Sequence, residues 1–380
     1  MDIAWIRGQI PGLKHGVYLN TAGIGLSPVG VNKAVAEGYQ QLRSGSVSTT
    51  DWYAAMREAE DELPAKIAGF FGADAGEIAL TMSTGEGYGM VLGGLRWQPG
   101  DEVLITNEEH PVPLQAAQGL ADREGAIVKV VEIDQDKDLF LRRVEQTITP
   151  RTRLICFSHV TTDWGTRLPA REICGLARAR GIFTLWDGCQ AVGQFPVDLH
   201  EIGCDFYATN GYKWLLSPMG TGFLYVRKGA QQYLKPLRQP HAPDGTARQY
   251  ETGTPASVLY LGLGAGLDFL AGIGGPQPIA AEAGRKAESL RERLDAIPGV
   301  RIIGSRRAET RTGIVALSIE GMDGNEVSDA LRNRWQIAQR ATNINEPSGV
   351  RISVAFYTSD SELDTLVEAV TTLAGETGKR

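Results

Sequence analysis

From residue 100 onward the chain alternates between two hydrophobic periods. The apolar run "EVLIT" (102–106) follows the turn "QPGD" and reads as a strand, while "PLQAAQGLADREG" (113–125) has apolar residues at helical spacing and stops at Gly125. The β-rich "AIVKVVEI" (126–133) and the continuous apolar run "RLICFSHV" (153–160) predict two further strands. An amphipathic helix with a glycine stop is predicted over "LPAREICGLARARG" (168–181), followed by strands in "IFTLWDG" (182–188), "CDFYATN" (204–210) and "GTGFLYV" (220–226). Strands that alternate with helices and are apolar on both faces predict a parallel or mixed sheet covered on both sides.

A stretch rich in Pro and Gly, 234–258, interrupts this alternation. Beyond it a long helical run leads to a β-like "RTGIVALSIE" (311–320), a helix around 325–333, the run "VRISVAFY" (350–357) and a final helix from 360, which together read as a smaller α/β domain. The N-terminal "VYLNTAGIGLSP" precedes a helix and is expected to join the second lobe or cover the cleft. A chain of 380 residues is long for one ordinary domain and fits this two-lobed plan. The composition is that of a globular protein, 42% hydrophobic and 22% charged. A net charge of −7 with mixed signs and no basic run argues against a nucleic-acid partner. No apolar run is long enough to span a bilayer and no secretory leader is recognisable, so the expected location is cytoplasmic, without a membrane partner. The four cysteines, Cys156, Cys174, Cys189 and Cys204, and the five histidines match no zinc spacing, so no metal is expected.

Candidate chemistry lies where the strands are expected to end, since ligands of open α/β sheets bind at carboxyl ends. "TMSTGEG" (81–87) follows a short apolar run and opens a helix at about Glu86; it serves equally as an ordinary N-cap or as a phosphate cradle. Asp187 ends the apolar "IFTLWDG", where a carboxylate is costly unless a positive or proton-bearing group pairs with it. It is either a helix cap or the partner of a protonated heterocyclic nitrogen. Lys213 stands in "TNGYKWLLSPMGTG" as the only charged residue between Asp205 and Arg227. It is either a snorkelling lysine or an amine made nucleophilic by burial.

A carboxylate for a pyridinium nitrogen, followed one strand unit later by a Schiff-base lysine, is the pattern of pyridoxal 5'-phosphate (PLP) enzymes. Through "YLNTAGIG", "TMSTGEG", "NEEHPVPL", "SHVTTDWGTRLP", "DGCQAVGQFPVDL", "YATNGYKWLLSPMGTGFLYV", "ETGTP" and "VRISVAFYTSDSELDTLVEAV", in that order, the chain resembles the class V aminotransferase family of fold-type I PLP-dependent enzymes. The branch it resembles is that of cysteine/cystine C–S lyases and isopenicillin-N-epimerase-like proteins. The resemblance implies a large domain built on a mostly parallel seven-stranded sheet (26–258), an N-terminal arm (1–25) reaching the active site, and a small C-terminal α/β domain (259–380). It also implies a homodimer with shared active sites and an amino-acid substrate.

The resemblance further implies residue roles. Lys213 would form the Schiff base and move the substrate Cα proton, Asp187 would pair with the pyridine nitrogen, and Gln190 would hydrogen-bond the ring's phenolic oxygen. His110 would stack on the ring, while Thr84, Gly85 and Asn210 would hold the phosphate, with Thr254 reaching the neighbouring subunit's phosphate. Arg351 would clamp the substrate carboxylate, and Asn20, Ala22 and Thr162 would line the substrate side. Two departures stand out: Tyr212 precedes the lysine where the family has His, and Thr162 with Asp163 occupies a loop where Asn is common.

Three expectations follow for the reaction. Loops 44–53 and 234–250 are expected to line the substrate pocket. Desulfurases of this group use a mobile cysteine shortly before the carboxylate-binding arginine; no cysteine follows Cys204, which predicts that the chain is not a persulfide-forming cysteine desulfurase. The favoured reaction is Cα deprotonation with β-elimination from cysteine, cystine or a cysteine S-conjugate. Transamination, or an epimerising or decarboxylating reaction, is the alternative, and a non-catalytic PLP-binding protein the remote one.

Overall fold

The computed structural model describes residues 1–44, 49–238, 245–253, 255–342 and 346–377. The N-terminal stretch contributes β1 (Val17–Tyr18). The central sheet then takes β2 (Ile78–Thr81), β3 (Glu102–Thr106), β4 (Ile127–Val131), β5 (Thr152–Ser158), β6 (Phe183–Asp187), β7 (Phe206–Asn210) and β8 (Gly222–Val226). The second half adds β9 (Val300–Ile302), β10 (Ile314–Ile319), β11 (Ile337–Ala338), β12 (Arg340–Thr342) and β13 (Gly349–Ser353).

The seven central strands lie in the order β2-β8-β7-β6-β5-β3-β4. β8 alone runs antiparallel to its neighbours, so the sheet is mixed and largely parallel, the α/β arrangement expected. Its two faces are buried by separate sets of side chains. Along β5, Leu154 and Cys156 enter one core cluster while Ile155 and Phe157 enter the other, as a period of two requires. Each such fully buried side chain contributes roughly 1.5–3 kcal/mol relative to exposure.

The connecting helices are bounded as their sequences dictate. Helix Pro111–Glu124 starts with Pro at its first position and His110 as its cap, the Nδ1 atom accepting from the Val112 amide at 3.2 Å. It ends at Gly125, whose φ of 69° no β-branched residue would tolerate. Helix Thr84–Gly94 is capped by Ser83, whose Oγ accepts from the Glu86 amide, so it begins two residues before the start expected near Glu86. The helix Lys137–Thr147, capped by Asp136, carries Phe140 and Val144 into the core; it was not anticipated from the charged "DKDLFLRRVEQT".

The second sheet, in the order β12-β13-β10-β9, is antiparallel throughout. The N-terminal segment docks on it: β1 pairs in parallel with β11, and Asn20 bridges to Ser353. The boundary expected at 258 falls within helix Ser257–Gly272. Leu263, Leu267 and Leu270 of that helix join the core cluster that also buries one face of the large sheet. Among the described residues, no single helix is long and apolar enough to cross a membrane.

Beside β6 the core holds a histidine. His159 Nδ1 lies 3.0 Å from the Tyr207 hydroxyl, and its ring meets Trp186, Phe195 and Tyr207 edge-on. Burial, reinforced by the charge of Arg167, pushes its pKa from 6.5 down to about 3. The folded protein therefore holds this imidazole neutral, and below pH 6.5 only the unfolded chain gains a proton there. This residue should cost about 1.4 kcal/mol of stability per pH unit as pH falls from about 6.5 towards 3. Urea midpoints measured across that range should show a shallower acid slope for His159→Phe than for the wild type; equal slopes would contradict it.

Candidate active site

The strands β2, β3, β5, β6 and β7 all deliver their carboxyl ends to one edge of the central sheet. Asp187 closes β6, and Thr84, His110, Thr162 and Lys213 lie just beyond the other ends. A cavity of about 130 Å3 opens at this edge, lined by Ser83, Thr84, Gly85, His110, Val112, Asp187, Cys189, Asn210, Tyr212 and Lys213. Six residues singled out from the sequence thus meet in one cavity: Thr84, Gly85, His110, Asp187, Asn210 and Lys213.

Asp187 is 7% exposed, and its Oδ1 accepts from the Cys189 amide at 2.8 Å. The strand end that carries it is fixed from behind. Ser158, its register partner on β5, donates through both its amide and its Oγ to the buried Glu109, which also accepts from Thr106. Burial raises the Glu109 carboxyl to about 7, against those hydrogen bonds, and does the same for its neighbour Glu108.

Lys213 is 8% exposed and forms no ion pair among the described residues. Its loop is held by the N-terminal segment, the Gly25 amide donating to the Tyr212 carbonyl at 2.7 Å. A Cβ on Gly25 would stand 1.9 Å from the Lys213 carbonyl oxygen, so only glycine permits this approach. Leu216, three residues on, sits at φ 54°, an uncommon conformation held by the Leu216 amide bond to the Lys213 carbonyl and by full burial.

His110 is half-buried, and burial together with the Lys213 charge lowers its pKa, so it presents a neutral ring. The charges of Asp187, Arg340 and Arg351 also act on this imidazole.

A second group of residues adjoins the cavity. Arg351 is fully buried on β13; Nη1 donates to the Thr162 carbonyl at 2.9 Å, Nη2 to Asn20 Oδ1 at 3.4 Å, and Nε has no partner. Burial, with the Arg340 guanidinium opposite it on β12, pushes its pKa down to about 10. Ala22 and Gln190 join the two groups. Gln190 Nε2 donates to the Ala22 carbonyl at 2.9 Å, and its Oε1 accepts from Trp214 Nε1 at 2.8 Å. Thr254, residues 45–48 and residues 239–244 lie outside the described residues, and the substrate-lining loops expected at 44–53 and 234–250 fall partly there.

All four cysteines are buried. Cys189 lies at the cavity, its Sγ 2.6 Å from Thr84 Oγ1 and 2.7 Å from Asn210 Nδ2. Sequence reasoning passed over Glu108, Glu109 and Arg340. The acids stand at the end of an apolar strand, the same signal that singled out Asp187. Among the described residues, Asp74, Glu77 and His200 form one cluster of potential metal ligands, but Glu77 is already engaged by the Asp74 and Lys228 amides and by His200.

The cavity suits a phosphorylated heteroaromatic group. It offers a buried carboxylate for a ring nitrogen, an imidazole face, an amine without an ion pair, and the open first turn of helix Thr84–Gly94 for a phosphate. Asn210 Oδ1 is buried without a hydrogen bond, an orphan that a donor on a bound group would satisfy. Such a fold and site define a fold-type I PLP-dependent enzyme. The chain belongs to the aminotransferase class-V family, whose profile matches residues 17–366.

The chain is 30% identical, over 97% of its length and 98% of the relative's, to a probable cysteine desulfurase of Methanothermobacter thermautotrophicus. It is 32% identical, over 82% of its length and 83% of the relative's, to the isopenicillin N epimerase of Streptomyces clavuligerus. A solved complex between the cystine C–S lyase C-DES and its reaction product cysteine persulfide superimposes with a TM-score of 0.89 at 25% identity, covering 96% of this chain and 99% of that one. These findings correct one expectation. The missing C-terminal cysteine does not exclude persulfide-forming desulfuration: relatives across nearly the whole chain are named desulfurases, and the persulfide in the lyase complex is carried by free cysteine, which needs no protein thiol.

The Gly25 contact predicts a specific defect. Gly25→Ala should destabilise the fold by about 1–3 kcal/mol through overpacking. Because the clash falls on the Lys213 carbonyl, the variant should also bind PLP more weakly; thermal unfolding and fluorescence titration with PLP check both.

Proposed function

We propose that the protein cleaves the C–S bond of cysteine, cystine or a cysteine S-conjugate by PLP-dependent β-elimination. The observation that carries the reading is the single cavity that gathers the Lys213 amine, the Asp187 carboxylate and the His110 imidazole, with the buried Arg351 guanidinium and its unpartnered Nε as a further cationic group. The choice of a sulfur substrate is supported by the relatives named cysteine desulfurase and by the cystine C–S lyase of the same fold, for which C–S cleavage is the shared chemistry.

PLP, when bound, supplies an electron sink that makes the Cα–H bond of an amino acid acidic. Thr84, Gly85 and Asn210 would hold its phosphate, Asp187 its ring nitrogen and Gln190 its phenolic oxygen, with His110 against the ring face. Lys213 would anchor it covalently and take up the Cα proton. Arg351 would fix the substrate carboxylate, with Asn20, Ala22 and Thr162 shaping that side; a fork of two N–H groups fixes direction as well as charge. The Cβ–S bond then breaks with its electron pair leaving on sulfur. For cystine, one water consumed balances the release of pyruvate, ammonia and cysteine persulfide.

We place the enzyme in the cytoplasm as a homodimer with shared sites. Support for the dimer comes from the exposed apolar side chains Ile24, Met82, Val112 and Met219, of which Val112 lines the cavity, and from the position of Thr254 in "ETGTP". Epimerisation is the second reading, favoured by the similarity to isopenicillin N epimerase.

Incubating the PLP-loaded protein with cystine, and no added keto acid, should release pyruvate and a cyanolysable persulfide. Turnover that requires a keto acid, or deuterium exchange at Cα with the amino acid otherwise intact, would replace elimination by transamination or epimerisation. Lys213→Ala should not retain PLP covalently after borohydride reduction. Arg351→Ala should raise KM by about 10- to 100-fold, corresponding to the roughly 1.5–3 kcal/mol of a hydrogen bond to a charged group. An unchanged KM would remove Arg351 from the carboxylate site.

A further inference from the structure

A second cavity, of about 500 Å3, lies where helix Pro276–Asp295 and the 308–313 segment meet Arg167, Gln194 and Phe195. Its lining holds three guanidinium groups, those of Arg167, Arg291 and Arg311, and a single carboxylate, Glu288. Arg291 is 8% exposed; its Nη2 donates to the carbonyls of Thr312 and Ile314 at 2.6 and 2.9 Å, while its nearest carboxylate oxygen, on Glu288, is 3.8 Å from Nη1. Glu288 is also the carboxylate that engages Arg311, so one acid is shared by two cations. Arg311 Nε is buried without a partner. The guanidinium of Arg167 lies over the Phe195 ring, 4.2 Å from its centroid, and forms no ion pair among the described residues.

This leaves a concave surface with a surplus of two positive charges, one of them on a largely desolvated side chain. Buried charge is normally paired, and unpaired N–H groups of guanidinium are suited to planar or tetrahedral oxyanions. Burial and the neighbouring Arg311 lower the Arg291 pKa to about 10, the direction an unneutralised cation takes. Neither PLP nor the amino-acid carboxylate claims these groups, since none of them lines the cofactor cavity.

We propose that this cleft is a binding site for a small dianion, a phosphate monoester or a dicarboxylate. Its floor is wired to the active site. The Gly313 amide donates to Gln194 Oε1 at 2.5 Å, Gln194 Nε2 donates to the Gln190 carbonyl at 2.5 Å, and Gln190 in turn holds Ala22 and Trp214. A dianion that tightens Arg291 and the Thr312 carbonyl against this chain stiffens the segment that carries Gln190, so its binding and substrate binding are linked reciprocally.

The test is calorimetric titration of the PLP-loaded protein, at low ionic strength, with inorganic phosphate and separately with malonate. Loaded protein keeps the cofactor's own phosphate cradle filled. Saturable binding at one site per chain is expected, and the tighter of the two anions assigns the ligand as phosphate- or carboxylate-bearing. Arg167→Gln and Arg311→Gln should each weaken binding about tenfold, the loss of one charge-assisted contact. Arg167→Lys should retain binding, which with unchanged visible spectra and Tm separates loss of charge from loss of fold. The proposal fails if neither anion saturates, if both glutamine variants bind like wild type, or if cystine displaces the anion competitively, which would place it at Arg351.

Discussion

One buried amide holds the active site together. Gln190 follows the strand that ends in Asp187, and its two polar atoms reach in opposite directions, to the Ala22 carbonyl and to the Trp214 indole. Three stretches of chain are thereby fixed to one another: the N-terminal segment, the cofactor-facing strand end and the lysine loop. A side-chain amide suits this task because it donates and accepts at fixed geometry without carrying charge. Losing either bond would leave a buried polar atom unsatisfied, at about 1–3 kcal/mol.

The same economy of charge shapes the surroundings. The carboxyl edge of a parallel sheet gathers residues from distant parts of the chain, and here it gathers Asp187, Lys213 and His110 with little mutual neutralisation. The Glu109 carboxyl, its pKa raised to about 7 by burial, is tied to Ser158. Arg351 donates to a carbonyl and a side-chain amide oxygen, and the Asp163 charge also acts on it. A site arranged in this way keeps its cationic groups available to an anionic partner, whereas a pre-formed ion pair would have to be broken first.

Much of this was legible in the sequence where local chemistry was unambiguous. Most strands of the central sheet and helix Pro111–Glu124 followed from apolar periodicity, the helix also from its glycine stop. Lys213 and Asp187 were legible because a charge in an apolar run has few structural explanations. What escaped was non-local. Nothing in "DKDLFLRRVEQT" distinguishes a helix that buries two side chains from a charged loop, and nothing near Ser257 says that its helix packs on the large sheet. Glu109 escaped because its partner Ser158 is supplied by another strand. Arg340 escaped because its relation to Arg351 is a matter of register across β12 and β13. The exclusion of persulfide chemistry failed for a different reason: it treated a residue count as though the product had to remain on the protein.

The docking of the N-terminal segment has a consequence for how the enzyme is made. Asn20 touches Arg351, Ala22 is held by Ser353 Oγ as well as by Gln190, and Ser353 is close to the end of the chain. The two contacts to the N-terminal segment each join residues 331 positions apart, so that segment finds its place only after β13 has formed.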